Sequence, residues 1–431
     1  MKYKLGLSFL ILSGIINCLN LSSQSKDPAF NKKDFPVFEM QEFHHRGGLP
    51  NVFEKISSQR QVRIAYIGGS ITAAKEGWRD MTFNWFRTTF PQTAFYQIDA
   101  CIGGTGSDLG VFRLERDVLI HKPDLLFIEF AVNDNGRTRE EILRSMEGII
   151  RQTWMALPNT DICLVYTTAG PFAPDLAKGK PKHTSEAMEE LADHYKIPSI
   201  HMGMEVARLY AEGKLVLQAD PADNANTIVF TRDNTHPLSE SGHPLYAAIV
   251  IKYLDRMQTE KSNIDHLLPK PYVPDNMVNA KMVELDKLRM EGDWQKLEES
   301  HEIMKLSWAK FTPELYKANP GSSLHFKFKG SMLGFFDAIG PDVGIIDVLV
   351  DGTKHEIIRF DAWCSGYRCH AFFIKDIKDG LHEVEVRVTD KPVDKAQILT
   401  RKKVILDQND ARYLETAWYP ANIMILGDIV K

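Results

Sequence analysis

A serine, an acid and a histidine are spaced along this chain in a way that suits acyl transfer. Ser70 follows the apolar run Ile64-Ala65-Tyr66-Ile67 and two glycines, Gly68 and Gly69. A buried strand ending in a tight glycine turn would present that hydroxyl at the mouth of a sheet. Asp233 stands three residues before His236 in Asp233-Asn234-Thr235-His236-Pro237. Within one short loop, the carboxylate can hold one ring nitrogen while the other takes and returns the serine proton. Gly104, in Gly103-Gly104-Thr105-Gly106, and Asn133, in Asn133-Asp134-Asn135-Gly136, each follow an apolar run. Their amides, with that of Ser70, suit a tetrahedral oxyanion. Each fragment alone has a plainer reading. Gly-Gly-Ser makes turns and phosphate cradles, Asp-x-x-His occurs as a surface pair, and the Gly103 stretch reads as a flexible loop. Asn133-Asp134 reads as a turn and helix cap, with Asp134 structural rather than catalytic.

These residues need a scaffold that brings them to one edge. From about 62 to 257, short apolar runs alternate with helical periods. Strands are expected over 62–67, 94–98, 125–130, 162–166 and 199–202, and helices over 79–89, 109–120, 140–156, 185–195, 206–212 and 239–255. Such alternation implies a parallel sheet covered by helices on both faces. The chemistry-bearing fragments fall just after strands or before the last helix, and open α/β sheets bind ligands outside the carboxyl ends of their strands. Pro269, Pro271 and Pro274 then mark a connector, after which 280–308 is charged and helical in period, with Gly292 as a break. The remainder reads as β. Leu324, Phe326 and Phe328 alternate with His325, Lys327 and Lys329, and Val384, Val386 and Val388 alternate with Glu383, Glu385 and Arg387. Asp351-Gly352 and Asp379-Gly380 are hairpin signals, and 423–426 fits a closing strand. A β-sandwich is the most economical arrangement.

In chain order, Gly69-Ser70, Gly104, Asn133-Asp134 and Asp233-x-x-His236 resemble the four sequence blocks of the SGNH, or GDSL-type, hydrolases. The first block has Gly69 where that family usually has Asp. The second begins Asp99-Ala100 where Asn-Ala is common. Neither departure removes a catalytic atom. The resemblance spans about 61–257 and implies a flavodoxin-like α/β fold. It also implies Ser70 as nucleophile, Asp233 and His236 as its triad partners, and an oxyanion hole of Ser70, Gly104 and Asn133. The stretches around Gly77-Trp78-Arg79 and 103–114 look like secreted members from polysaccharide-degrading bacteria. No Gly-x-Ser-x-Gly elbow of the competing hydrolase class is present. The expected organisation is a signal peptide over 1–25, a lead-in over 26–60 and an SGNH-type hydrolase domain over 61–258. A connector with a helical segment follows over 259–315, and an accessory β-sandwich over 316–431.

Composition narrows the setting. The 431 residues carry a net charge of -5 without a basic run, which gives no reason to expect a nucleic-acid partner. Lys2 and Lys4, the apolar stretch 5–16 and Ser23-Gln24-Ser25 read as an export signal, hence a secreted or periplasmic protein. Lipid attachment at Cys18 is the alternative, against which Asn17 is large for such processing. No later segment is apolar enough to span a membrane. Cys101 and Cys163 read as inert buried thiols, while Cys364 and Cys369 are close enough to pair across a turn. No Cys/His cluster has metal-ligand spacing, and the chemistry needs no metal or organic cofactor. Trp78, Arg79 and Arg137 are the substrate-binding candidates, although an arginine at a helix start such as Arg79 is more often a solvated charge or a structural ion pair. His44, His45 and His243 read as structural or exposed. Trp363, Tyr367 and Trp418 are either sandwich core or a sugar-stacking platform.

The expected activity is removal of short acyl groups, acetyl foremost, from acylated oligo- or polysaccharide through an acyl-enzyme. The lack of an apolar lid or interfacial helix in the sequence favours carbohydrate over lipid. A lysophospholipase or thioesterase on the same scaffold and a glycan-binding protein with a vestigial hydrolase domain are the alternatives.

Overall fold

The computed structural model describes residues 41–430 apart from 59, 225–226, 313, 404 and 406–409. The expected export signal and Cys18 lie outside these residues. The first sheet is built from β1 (Phe43–His44), β2 (Gln61–Gly68), β3 (Ala94–Cys101), β4 (Leu125–Glu129), β5 (Asp161–Tyr166) and β6 (Ser199–His201), in the spatial order β1-β6-β5-β4-β2-β3. β2 to β6 are parallel, and β1 adds antiparallel to β6 at one edge. Counting only the parallel strands, the order is second, first, third, fourth, fifth, the flavodoxin-like winding. Its switch point lies between β2 and β4, so a crevice is expected outside their carboxyl ends. β4 and β5 are buried throughout, as strands covered on both faces must be.

Helices cover both faces. α1 (Pro50–Ser57), α2 (Ser70–Ala73), α3 (Trp78–Thr89), α4 (Ser107–Asp117), α5 (Arg139–Ala156), α6 (Ala173–Leu176), α7 (His183–Tyr195), α8 (Met202–Ala211) and α9 (Gly242–Met257) follow in chain order. Phe53 of α1, Phe86 of α3, Val206 of α8 and Tyr246 of α9 join one apolar cluster with Ile64, Tyr66 and Phe127 of the sheet. Leu109 of α4, Ile142 of α5 and Leu191 of α7 join another with Ala65, Ile67 and Ile128. Successive strand residues point to opposite faces, so neighbouring side chains serve different cores. Two short parallel strands, β7 (Leu215–Gln218) and β8 (Ile228–Thr231), lead into the loop before α9.

The region expected to be helical is not. Residues 280–296 form three strands, β9 (Ala280–Glu284), β10 (Arg289–Glu291) and β11 (Trp294–Lys296). Their charged residues face solvent from sheet edges, which imitates a polar helix face in sequence. β11 pairs with β12 (Tyr316–Ala318). β9 and β10 instead join the antiparallel sheet of β13 (Ser323–Ile339), β14 (Ile345–Val350), β15 (Thr353–Ile358), β16 (Arg368–Ile374), β17 (Gly380–Val388) and β18 (Tyr419–Val430).

β13 organises this sheet. Its first half pairs with β17, its second half with β16, and β18 runs along its other side with a register shift between Gly330 and Met332. A Cβ on Gly330 would lie 2.1 Å from the Leu426 carbonyl, so only glycine fits at the bend. The sheet thus folds over itself and encloses Leu324, Phe328, Phe335, Val348, Val386, Ile423 and Trp418. Asp351-Gly352, both at positive φ, form the expected two-residue turn between β14 and β15. Asp379-Gly380 does not make a hairpin: it enters β17 after the chain has stepped along β13 from β16. Cys364 and Cys369 are separate thiols, and Cys364 Sγ accepts from the Asp361 amide at 3.3 Å. A short helix, α10 (Lys395–Thr400), closes the sequence of elements before β18.

The described residues form one compact unit. The outer face of the β13–β18 layer lies on helices of the parallel-sheet region. Phe373 meets Phe112 of α4 at 5.5 Å between ring centres, and Phe336, Ala338 and Met424 share a core cluster with α4 and α5. Polar ties accompany them: Arg116 donates to Asn422 at 2.7 Å, and Lys310 to Asp99 at 2.9 Å.

Candidate active site

Ser70 stands where β2 ends at the sheet's switch point. Gly69 is extended and caps the single turn of α2, whose Ala73 amide donates to the Gly69 carbonyl at 2.9 Å. A Cβ on Gly69 would lie 2.0 Å from Asn133 Oδ1, and one on Gly68 would lie 2.7 Å from the Glu129 carbonyl. The close approach of the β4 backbone leaves room only for glycine at Gly68, whereas at Gly69 the Asn133 side chain occupies the space beside the backbone.

Beneath Ser70, the buried Glu129 ends β4 and accepts from Thr72 Oγ1 at 2.8 Å and Thr167 Oγ1 at 2.6 Å. Burial raises its pKa, against the pull of the two hydroxyls. This side chain pins α2 to the ends of β4 and β5. It was not among the residues singled out from sequence, although an acid closing the apolar run Leu125-Leu126-Phe127-Ile128 was the available signal.

His236 reaches Ser70 from the loop between β8 and α9. Its Nε2 lies 2.9 Å from Ser70 Oγ, and its Nδ1 lies 2.6 Å from Asp233 Oδ2. The other Asp233 oxygen accepts from the amides of Thr235, at 2.9 Å, and His236, at 2.8 Å. Burial pushes the Asp233 carboxyl up, but these hydrogen bonds outweigh it and hold it below the ordinary carboxylate range. An ionised Asp233 fixes the proton on Nδ1 and leaves Nε2 to accept from Ser70. Asn234 makes the tight turn at φ +67°, its amide donating to Thr231 Oγ1 at 2.9 Å. Pro237 bridges back to Thr231, which anchors the loop to β8.

The Gly103-Gly104 turn and Asn133, the candidate oxyanion residues, lie beside Ser70 and Gly69. A Cβ on Gly103 would lie 3.4 Å from that of Ser70, which places the Gly103-Gly104 turn beside the hydroxyl. Gly104 has φ +74° and open space where a side chain would be. The Asn133 side chain lies over Gly69 and makes no hydrogen bond to the described residues, so its amide is free for a ligand. Asp134 is buried and accepts from the Ser107 amide at 2.9 Å, tying the Asn133 turn to the start of α4 just after Gly104. Burial raises its pKa to about 7, although the hydrogen bonds from Ser107 lower it. Asp134 is thus structural, as the sequence suggested.

Of the three substrate-binding candidates, two are corrected. Trp78 is fully buried against Tyr66 and Phe127, in the first turn of α3. Arg79 is nearly so, its guanidinium held by Asp80 and Asp99. Proximity in sequence to Ser70 misled because that turn points into the core. Arg137 is half-exposed and paired with Asp108. Nearby, His243 is buried, its Nδ1 accepting from the Trp78 amide at 3.2 Å. Burial first, then the nearby His236, lowers its pKa to about 4, so it stays neutral and joins α9 to α3. The Trp363–Tyr367–Trp418 platform does not form either. Trp418 is core, its Nε1 donating to Asp337 at 3.0 Å, whereas Trp363 is exposed beneath Lys402. Among the described residues, no group of His, Cys, Asp or Glu is arranged to hold a metal ion.

The sequence pattern of the GDSL-like Lipase/Acylhydrolase family matches residues 66–243. Among solved structures, the chain is similar to a two-domain esterase active on acetylated mannans, with a TM-score of 0.69 and 21% identity over 90% of this chain and 97% of that one. That esterase co-crystallized with mannopentaose gives a TM-score of 0.67 at the same identity and coverage. An acetyl-xylooligosaccharide esterase mutant from Geobacillus Stearmophilus is 17% identical over 45% of this chain and 94% of that one, with a TM-score of 0.36. No curated protein matches the chain.

Proposed function

We propose that this chain, whose residues 66–243 match the GDSL-like lipase/acylhydrolase family, is a serine esterase removing short acyl groups, acetyl foremost, from carbohydrate. The observation that carries the reading is the continuous hydrogen-bond chain Ser70–His236–Asp233 at the switch-point edge. Ser70 Oγ attacks the acyl carbonyl as His236 Nε2 takes its proton. The oxyanion is met by the amides of Ser70 and Gly104 and by the side chain of Asn133. The tetrahedral intermediate collapses with loss of the sugar alcohol, which receives the proton from His236. Water, activated by the same nitrogen, attacks the acyl-Ser70 ester and releases the free acid.

Two features support a short acyl group on a polymer. His236 and Asp233 are 49% and 55% exposed, so the site is open to a bulky chain. Among the described residues, none of the exposed large apolar side chains belongs to loops 69–77, 103–106, 133–138 or 231–237, which is in keeping with a short acyl group. The two-domain fold shared with an esterase active on acetylated mannans is in keeping with this reading. The export pattern at the N-terminus suits a polymer met outside the cell. Among the described residues, no helix is long and apolar enough to cross a membrane.

The test is hydrolysis of p-nitrophenyl acetate, butyrate and octanoate, and of acetylated oligosaccharides. Acetate should be preferred, and Ser70→Ala or His236→Ala should lower kcat by on the order of 10⁴ with an unchanged melting temperature. Preference for octanoate would defeat the carbohydrate reading, and unchanged rates in the variants would defeat the triad.

A further inference from the structure

The chain leaving β5 forms a wall between the two loops that build the site. At its start, the Gly170 amide donates to the Asn234 carbonyl at 3.0 Å, and a Cβ there would lie 1.9 Å from Asn234 Oδ1. At its end, His183 Nε2 donates to the Arg137 carbonyl at 3.0 Å. The wall therefore spans from the loop of His236 to the loop of Asn133. Ala173 and Leu176 of α6 are buried and anchor it. The Lys178 and Lys180 amides both donate to the Asp175 carbonyl at 3.0 Å, and this turn shapes the stretch between α6 and α7.

The wall carries Lys178, Lys180 and Lys182 at alternate positions, against one carboxylate, Asp175. Lys178 and Lys180 are exposed, and Lys182 is half-buried with its ammonium 4.0 Å from the centre of the Phe172 ring. Among the described residues, none of the three pairs with a carboxylate. Two further exposed and unpaired cations flank the site: Arg232 precedes Asp233, and Lys75 follows α2. The unpaired carboxylates Glu76 and Glu240 lie in the same loops, and Arg137 is neutralised by Asp108. The excess of positive charge on the wall runs against the chain's net charge of -5. Isolated surface lysines are ordinarily just solvated. Here they follow a wall fixed at both ends to catalytic loops, and an ammonium resting on a half-buried ring is held in place.

Resting on the acyl-hydrolase reading, we propose that residues 170–183 form a binding track for a negatively charged glycan, and that the ester cleaved at Ser70 sits on such a chain. Lysine ammoniums act as point charges that tolerate the shifting spacing of carboxylates along a flexible polymer. Their contribution is screened by salt and enters through substrate binding.

The experiment measures kcat and KM on acetylated oligogalacturonide and on acetylated manno-oligosaccharide of equal length, at low and high sodium chloride. The wild type and the Lys178→Gln/Lys180→Gln/Lys182→Gln variant are compared, with p-nitrophenyl acetate as reference. The anionic substrate should be favoured by about tenfold at low salt, and both salt and the triple variant should remove most of that advantage through KM. Hydrolysis of p-nitrophenyl acetate should not change. Competition by deacetylated oligogalacturonide or by sulfated dextran distinguishes carboxylate from sulfate recognition, and inhibition by neither overturns the track. Equal kcat/KM on both glycans, insensitive to salt, also overturns it, and needs no variant. A wild type inactive on p-nitrophenyl acetate would instead overturn the acyl-hydrolase reading.

Discussion

The two faces of the parallel sheet are built differently, and the site is divided between them. One face is covered by α1, α3, α8 and α9, which form a core of their own with the sheet. The other is covered by α4, α5 and α7, and these are in turn covered by the β-rich region, so that the apolar cluster runs on into Phe336, Ala338 and Met424. α2 and α9, which flank Ser70 and follow His236, belong to the first face through Ile71 and Tyr246. The loops of Gly104 and Asn133 lead into α4 and α5 of the second. Ser70 and His236 thus rest on the first layer alone, whereas the loops of Gly104 and Asn133, the oxyanion donors of the proposed reaction, lead into helices backed by the C-terminal region.

Removing the C-terminal region should have the largest effect. A chain ending before Thr259 would expose Phe112, Leu109 and their neighbours and should fail to accumulate as a folded protein, which soluble yield and far-UV circular dichroism would report. If it folded and hydrolysed p-nitrophenyl acetate normally, the two faces would be independent after all. A smaller effect sharpens the contrast. Phe112→Ala removes the ring that meets Phe373 and should cost about 3–5 kcal/mol of unfolding free energy in a denaturant titration.

The subtlest effect concerns Asp134. Its folded pKa of about 7 lies above the ordinary 3.8, so the fold retains a proton that the unfolded chain gives up. The stability gained this way is complete below about pH 4 and is lost as pH rises through about 7. Asp134→Asn keeps an acceptor for the Ser107 amide but no longer titrates. Between these limits the wild-type melting temperature should therefore fall with pH relative to that of the variant. Parallel curves would remove Asp134 as the titrating group.

Much of this was legible in the sequence because buried parallel strands leave continuous apolar runs, and because glycines mark where backbones approach closely. β2, β4 and β5 announced themselves in that way, and so did Ser70 behind Gly68-Gly69. The errors share a physical origin: edges look alike in one dimension. β9 to β11 are short strands with charged outer residues, and their apolar residues Met282, Leu285 and Met290 recur at intervals a helix would also give. The two-residue β1 lacks enough length to signal at all. Trp78 and Arg79 follow a glycine next to the site, yet which way a helix's first turn faces is decided by packing against Tyr66 and Phe127, partners far away in the chain. Glu129 was hidden for the opposite reason, since its partners Thr72 and Thr167 converge only once three strands are side by side.

β13 carries one more implication. Its first half belongs with β17 and its second with β16, while β18 accompanies both. A seventeen-residue strand shared in this way cannot release one layer and keep the other. Amide exchange across 323–339, 380–388 and 419–430 should consequently proceed at a common rate set by a single opening event, rather than layer by layer from the edges inward.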